Sequence, residues 1–368
     1  MTVKPPVFLD DPTVGELEKS FLCKAIDSTY ISTAGPFIQE FEDQFASFLN
    51  ISEAISTQSG TAALHMALIE AGIQPGDEVI VPALTFVASI NPILYLGANP
   101  VFVDSDPVTW NINAHRIEEM VSPKTKAILP VHLYGNPCAM TEILKIAKEY
   151  HLVVIEDATE SLGATYRGKP TGTLGEFGCF SFNGNKLMTT GGGGMVIGKE
   201  NKQIQHIRYL VNQARDVPSS EYHSEVGYNY RMTNLEAALG LAQLQQVPHF
   251  LEKKKQFHQI YHDYFHESGS FFLQKSNSDA SSAYWLNAGS LKNKEVSEVQ
   301  LRLSQNGIRT RRVFHPIPEM PPYRQFRSTD IPVAKQLYKT SFCLPSSTLN
   351  SEESIHRVCH ILKGILDE

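Results

Sequence analysis

The sequence predicts an α/β protein of two domains. It has a large domain with a mostly parallel sheet between helices, and a smaller α/β C-terminal domain. Three observations predict the architecture. Short apolar runs alternate with helix-periodic segments up to about residue 198. The composition becomes more polar and irregular beyond about residue 263. The 368 residues exceed what one small core needs. The large domain is accordingly placed at 13–262, and the small one at 263–368 with residues 1–12.

Residues 1–12 read as extended and end in the acidic pair Asp10-Asp11. Val14, Leu17, Phe21 and Ile26 have helical spacing within 13–27. A Gly35-Pro36 turn follows. Phe37, Phe41, Phe45 and Phe48 then share one stripe of a helix over 37–49, where packing is their expected role. The segment 61–72 is helical and stops at Gly72. Strands are expected at 77–82, 99–104 and 126–133. A helix at 142–151 feeds a strand at 152–157. Strands at 179–183 and 194–198 complete the series, and 234–262 is a long helix. Short buried strands alternating with helices imply a largely parallel sheet covered on both faces.

Composition removes several classes of function. With 42% hydrophobic and 19% charged residues the chain can bury a sizeable core. Its formal charge is −7, and no dense basic block marks a nucleic-acid surface. The run Lys253-Lys254-Lys255 reads as a solvated helix face. No apolar run approaches the ~20 residues of a membrane span, and the first residues lack a signal pattern, so a cytoplasmic protein is expected. Five scattered cysteines (Cys23, Cys138, Cys179, Cys343, Cys359) show no metal-ligand spacing. They read as reduced thiols, mostly core fillers, and no metal is expected.

Three features fall at strand ends, where α/β sheets bind ligands. Ser59-Gly60-Thr61 precedes a helix, so its backbone N–H groups can meet an anion, although Ser and Thr there also serve as plain N-caps. Glu156-Asp157 closes a buried strand and needs a partner. It could accept bonds from loop amides, offer a countercharge to a protonated heterocycle or, least favoured, bind a metal. Lys186 lies between a buried strand and the run Gly191 to Gly194, where a ligand could approach the backbone closely. A lysine amine condenses with an aldehyde only when deprotonated, so such a site must lower its pKa. A phosphate cradle, a strand-end Asp and a lysine in this order are what pyridoxal phosphate requires.

Several separated motifs in that order resemble the DegT-type sugar aminotransferases of the fold-type I pyridoxal-phosphate enzymes. They are Ser59-Gly60-Thr61-Ala62-Ala63-Leu64, Pro82 to Ser89 (PALTFVAS), His132-Leu133-Tyr134-Gly135, Ser181 to Lys186 (SFNGNK) and Gly227 to Met232 (GYNYRM). The resemblance runs from about Thr33 to Pro345. It implies that Lys186 is the Schiff-base lysine and later shuttles the proton, and that Asp157 pairs with the pyridinium nitrogen. It implies that Phe86 stacks on the cofactor ring, that Gly60, Thr61 and Ser181 hold the phosphate, and that Asn229 reaches the cofactor phosphate of a neighbouring subunit in a homodimer. Glu160 stands where many relatives have Gln beside the cofactor's phenolic oxygen, and can bond it only if one partner carries a proton.

The form SFNGNK followed by TTGGGG is most similar to the branch acting on UDP-linked 4-keto-6-deoxy-N-acetyl hexosamines in bacillosamine- and legionaminic-type pathways. Glutamate would be the amino donor. Arg231, His315, Arg311 and Arg312 are candidates for the donor carboxylate or the diphosphate. Competing readings are a pyridoxal-phosphate sugar dehydratase, a non-catalytic sugar-binding regulator and a nicotinamide-dependent epimerase. Lys186 counts against the first two, and the missing GxGxxG against the third.

Overall fold

The computed structural model describes residues 5–217 and 221–368. The extended reading of residues 1–4 therefore lies outside the described residues. The large sheet has seven strands: β1 Ala54–Thr57, β2 Glu78–Pro82, β3 Asn99–Val103, β4 Thr125–Ile128, β5 Val153–Asp157, β6 Phe177–Ser181 and β7 Gly194–Gly198. Their order is β1-β7-β6-β5-β4-β2-β3. Only β7 breaks the direction, pairing antiparallel with β1 and β6, while the other pairs are parallel. The mostly parallel sheet is thus present. Its strand β1 is absent from the sequence-derived series because its four residues, AIST, carry little apolar signal, yet all four are buried.

Helices close both faces. Helix Gly60–Glu70 begins at the N-cap Ser59, whose hydroxyl accepts from the Ala62 N–H at 3.1 Å. Every residue from Ala62 to Leu68 is buried, so this helix has no solvent face. Helix Asn234–Phe265 starts with a reciprocal capping box between Thr233 and Glu236 and continues through Pro248. Its first half packs with strands β6 and β7 (Ala237, Leu241, Phe250 with Phe180, Met195). Its second half packs with a separate core (Phe257, Tyr261, Phe265 with Phe271, Phe342). That second core lies on a four-stranded antiparallel sheet of β8 Phe271–Leu273, β9 Asn287–Leu291, β10 Arg311–Arg312 and β11 Ser341–Leu344, in the order β8-β9-β11-β10.

Lys254 corrects the reading of the lysine run. The middle lysine of the three is buried, with Nζ donating to the carbonyls of Trp285 (2.9 Å) and Ser346 (2.7 Å). The helix turns that position inward between its two cores, while Lys255 stays exposed. Residues 7–11 are clasped to the far end of the chain. Val7 bridges Ile308, Phe8 exchanges bonds with the Asn350 side chain, and Leu9 O accepts from the Ser346 N–H. Four of the five cysteines are buried, Cys23 is exposed, and all are free thiols. Among the described residues no helix is long and apolar enough to cross a membrane.

Candidate active site

The parallel strands of the large sheet deliver their carboxyl ends to one side, where Asp157 closes β5 and Ser181 closes β6. Beside them lies a cavity of about 360 Å³. Gly60, Thr61, Phe86, Asp157, Glu160, Ser181, Lys186 and Arg311 all line it.

One wall is the first turn of helix Gly60–Glu70, whose leading N–H groups have no partner inside the helix and carry the positive end of its dipole. The glycine run explains how this turn is held. Gly193 N–H donates to Gln58 O, and Ser59 bridges Gly193. A Cβ on Gly194 would stand 2.5 Å from the Ser59 carbonyl carbon, and one on Gly60 would stand 2.7 Å from Ser181 Cβ. Gly192 and Gly193 line the cavity, while the close approach is made by backbone at Gly194 and by the Ser181 side chain at Gly60. It brings β6, β7 and the helix start together around the Ser181 hydroxyl.

Successive residues of a strand face opposite ways, and this separates Glu156 from Asp157. Glu156 points behind the sheet and is filled. Oε1 accepts from the N–H groups of Leu174 (2.7 Å) and Gly175 (2.6 Å), and Oε2 from Gly172 N–H and His132 Nε2–H, each at 2.9 Å. His132 is the Nε2–H tautomer because its Nδ1 accepts from the Cys138 N–H. Asp157 points into the cavity. Its Oδ2 accepts from the Ser89 hydroxyl at 2.6 Å and Oδ1 from the Thr159 N–H at 3.1 Å. Of the alternatives weighed for this pair, loop-amide acceptor describes Glu156.

Lys186 sits on a short loop fixed from three sides. Its own N–H donates to Asn183 O, the Trp285 indole donates to Asn185 O at 2.6 Å, and the Asn185 amide donates to Asp10 Oδ2 at 3.1 Å. The Lys186 ammonium lies 4.2 Å from the centre of the Trp285 ring and 3.7 Å from Glu160 Oε1. Burial pushes the Glu160 carboxyl pKa up, against the opposing pull of Lys186 and the Tyr134 N–H that donates to Oε2 at 2.8 Å. A carboxyl so placed can carry the proton that a Glu needs in order to bond a phenolate-type oxygen. Tyr134 reaches it by adopting a left-handed backbone, φ 59°, which costs about 1 kcal/mol or more. The same residue stacks on Phe314, whose N–H donates to its hydroxyl. Phe86 is half-exposed at the cavity mouth, 5.6 Å from Phe314.

The remaining candidates are scattered. Arg231 lies in a separate cavity of about 220 Å³ beside Glu42 and Arg208, and its Nη1 donates to Asn212. Arg312 alternates away from Arg311 in β10 and donates to Tyr338 O. His315 packs on the Tyr338 ring at 4.4 Å and donates to Pro316 O. Asn229 is exposed, bridging Asn212 outside the cavity. Conversely, Trp285, Phe314, Ser89, Asn185 and Asp10 shape the site and were not singled out as site residues. Ser89 and Asn185 were within reach, as the last residue of PALTFVAS and the fifth of SFNGNK.

These features fit pyridoxal phosphate. A helix start faces a hydroxyl at the end of β6, a carboxylate with hydrogen-bond capacity in hand faces the same space, and an amine lies over an aromatic ring between them. The model of the DegT/DnrJ/EryC1/StrS aminotransferase family matches residues 12–363. GDP-perosamine synthase of Caulobacter vibrioides is 40% identical over 370 residues, covering 100% of both chains. GDP-perosamine synthase of Escherichia coli O157:H7 is 40% identical over 355 residues, covering 96% of each. Among solved structures, the PLP form of the sugar aminotransferase Spr1654 from Streptococcus pneumoniae superposes with a TM-score of 0.93 at 26% identity, covering 99% of both chains.

Proposed function

The chain belongs to the DegT/DnrJ/EryC1/StrS aminotransferase family, and from that premise we propose that it moves an amino group from glutamate to C4 of a nucleotide-linked 4-keto-6-deoxy sugar. That it is a pyridoxal-phosphate-dependent sugar aminotransferase follows from the family. The observation that carries the site assignment is the convergence of Lys186, Asp157 and the Gly60–Thr61 helix start on one cavity.

The cofactor, when bound, supplies the electron sink that lets the C–H beside an amino group ionise. Lys186 is the residue that holds it in the resting enzyme and whose Nζ, once released, moves the proton between carbons. Asp157, steadied by Ser89 and Thr159, keeps the ring nitrogen protonated. The N–H groups of Gly60 and Thr61 and the Ser181 hydroxyl bind the phosphate. Phe86 covers the ring face against water, and Glu160 bonds the phenolic oxygen when one of the two carries a proton. Asn229, exposed in one chain, completes the phosphate site of a second copy, which makes a homodimer part of this reading. Arg311 receives the donor carboxylate, since it alone of the four cationic candidates lines the cavity. Four buried free thiols suit a reducing, cytoplasmic setting.

For the nucleotide, the 40% identity to two GDP-perosamine synthases favours a GDP-linked substrate. The SFNGNK…TTGGGG form favours the UDP-linked N-acetyl hexosamine of bacillosamine-type pathways. The test is to load the protein with pyridoxal phosphate and record its visible band before and after glutamate. GDP- and UDP-linked 4-keto-6-deoxy sugars are then supplied and 2-oxoglutarate release is followed. A band that glutamate bleaches and one keto sugar restores supports the reading and chooses the nucleotide. A band that glutamate leaves untouched removes glutamate as donor.

A further inference from the structure

Asp10 belongs to the clasped segment 7–11 and carries no part of the chemistry just assigned, yet its side chain reaches the site. One oxygen, Oδ2, accepts from both Asn185 Nδ2 at 3.1 Å and Arg311 Nη1 at 3.2 Å. A single carboxylate thus joins the loop that carries Lys186 to the arginine on the opposite wall. Those two cations lie against one indole, with Lys186 Nζ 4.2 Å and the Arg311 Cζ 5.9 Å from the Trp285 ring centre. The buried Lys254 amine lines the same small hollow as Asp10, whose charge opposes the fall that burial imposes on the lysine's pKa.

Arg311 is left unfinished by this arrangement. Nη1 is taken by Asp10, while Nη2 is buried without a hydrogen-bond partner. A buried, unpartnered guanidinium donor is costly, and a native structure keeps one where a ligand completes it. The ligand is anionic, because a guanidinium fork matches the two oxygens of a carboxylate. A donor amino acid bears its α-carboxylate on the reacting carbon itself, within a bond or two of the atom Lys186 must reach. The diphosphate of a nucleotide sugar is carried at C1, a ring's width from C4. The shared Trp285 platform therefore suits the donor.

We infer that Asp10 is a positioning residue that sets Arg311 at a fixed place relative to Lys186, and so governs affinity for the carboxylate of the amino donor rather than the rate of proton transfer. The inference rests on the reading that Arg311 receives that carboxylate. The test compares Asp10→Asn and Arg311→Lys in the cofactor-loaded enzyme, with initial rates at varied glutamate and the band-shift Kd for glutarate, a dicarboxylate that cannot react. Asp10→Asn is expected to raise the KM for glutamate and the Kd for glutarate about tenfold. Its kcat at saturating glutamate and its KM for the keto sugar stay within about twofold. Asp10→Glu, which retains the charge, recovers part of the loss. If Arg311→Lys weakens glutarate and Asp10→Asn does not, the inference is wrong and the Arg311 reading survives. If Arg311→Lys leaves both constants unchanged, the Arg311 reading fails and the inference with it. A fall in kcat without a change in KM for Asp10→Asn would place its effect on the Lys186 loop instead and overturn the proposal. Should Asp10→Asn fail to fold, Asp10→Glu decides, because moving the carboxylate by one methylene must still weaken glutarate.

Discussion

Glu156 and Asp157 are adjacent, both buried, and both at the end of the same strand, yet they inhabit different regions. Behind the sheet, Glu156 is saturated by three backbone N–H groups and the His132 imidazole. On the cavity side, Asp157 has two partners and faces open space. Two lysines repeat the pattern, Lys254 buried and Lys186 partly so. Lys254 gives its protons to two carbonyls, while Lys186 has only a 3.7 Å ionic neighbour and an aromatic ring. Low exposure is common to all four, so it does not by itself separate structure from chemistry. Unfilled hydrogen-bonding capacity does, because a saturated charge has nothing left to give a ligand.

The contrast is most severely tested at Lys186. Lys186→Ala should remove the lysine-bound visible band and lower turnover by at least about 10³-fold, without altering the urea midpoint. A variant that still turns over near the wild-type rate would move the chemistry elsewhere. Next come the paired carboxylates. Asp157→Asn should cut kcat on the order of 10²-fold while costing little stability. Glu156→Gln should do the reverse, losing about 2–4 kcal/mol in urea unfolding because its amide cannot accept from every N–H now aimed at it. Equal effects of the two on activity would dissolve the distinction.

The smallest effect concerns Lys254. Burial lowers its pKa from 10.5 to about 7, so between those values the unfolded chain binds a proton that the folded one does not. Stability from this group therefore rises with pH through that window, by up to about 1.4 kcal/mol per unit. Measured against Lys254→Met at pH 7, 8 and 9, the wild type should gain stability with each step. Parallel pH profiles would show that the amine is not desolvated.

The sequence made the sheet type, six of the seven large-sheet strands and the motif residues around the cavity legible, because each rests on local pattern. Strand β1 escaped since Ala54–Thr57 carries its burial in position rather than in apolar content. Lys254 escaped because three lysines in a row look alike until two cores close on the middle one. Arg311 and Arg312 were inseparable by type, although strand alternation would have sent them to opposite faces. Asp10, 175 residues from Asn185 and 301 from Arg311, has no local signal at all.

That distance has a consequence for how the molecule is made. The segment around Val7 and Phe8 is synthesised long before its partners at Ile308, Ser346 and Asn350. Until those partners emerge it must wait unpaired, with backbone groups open to pairing of the kind through which nascent chains aggregate. Asp10 rides on that segment, so the tie between the Lys186 loop and Arg311 is among the final contacts to form. A chain released early would hold every motif of the large sheet and still lack the tie that joins the two walls of its site.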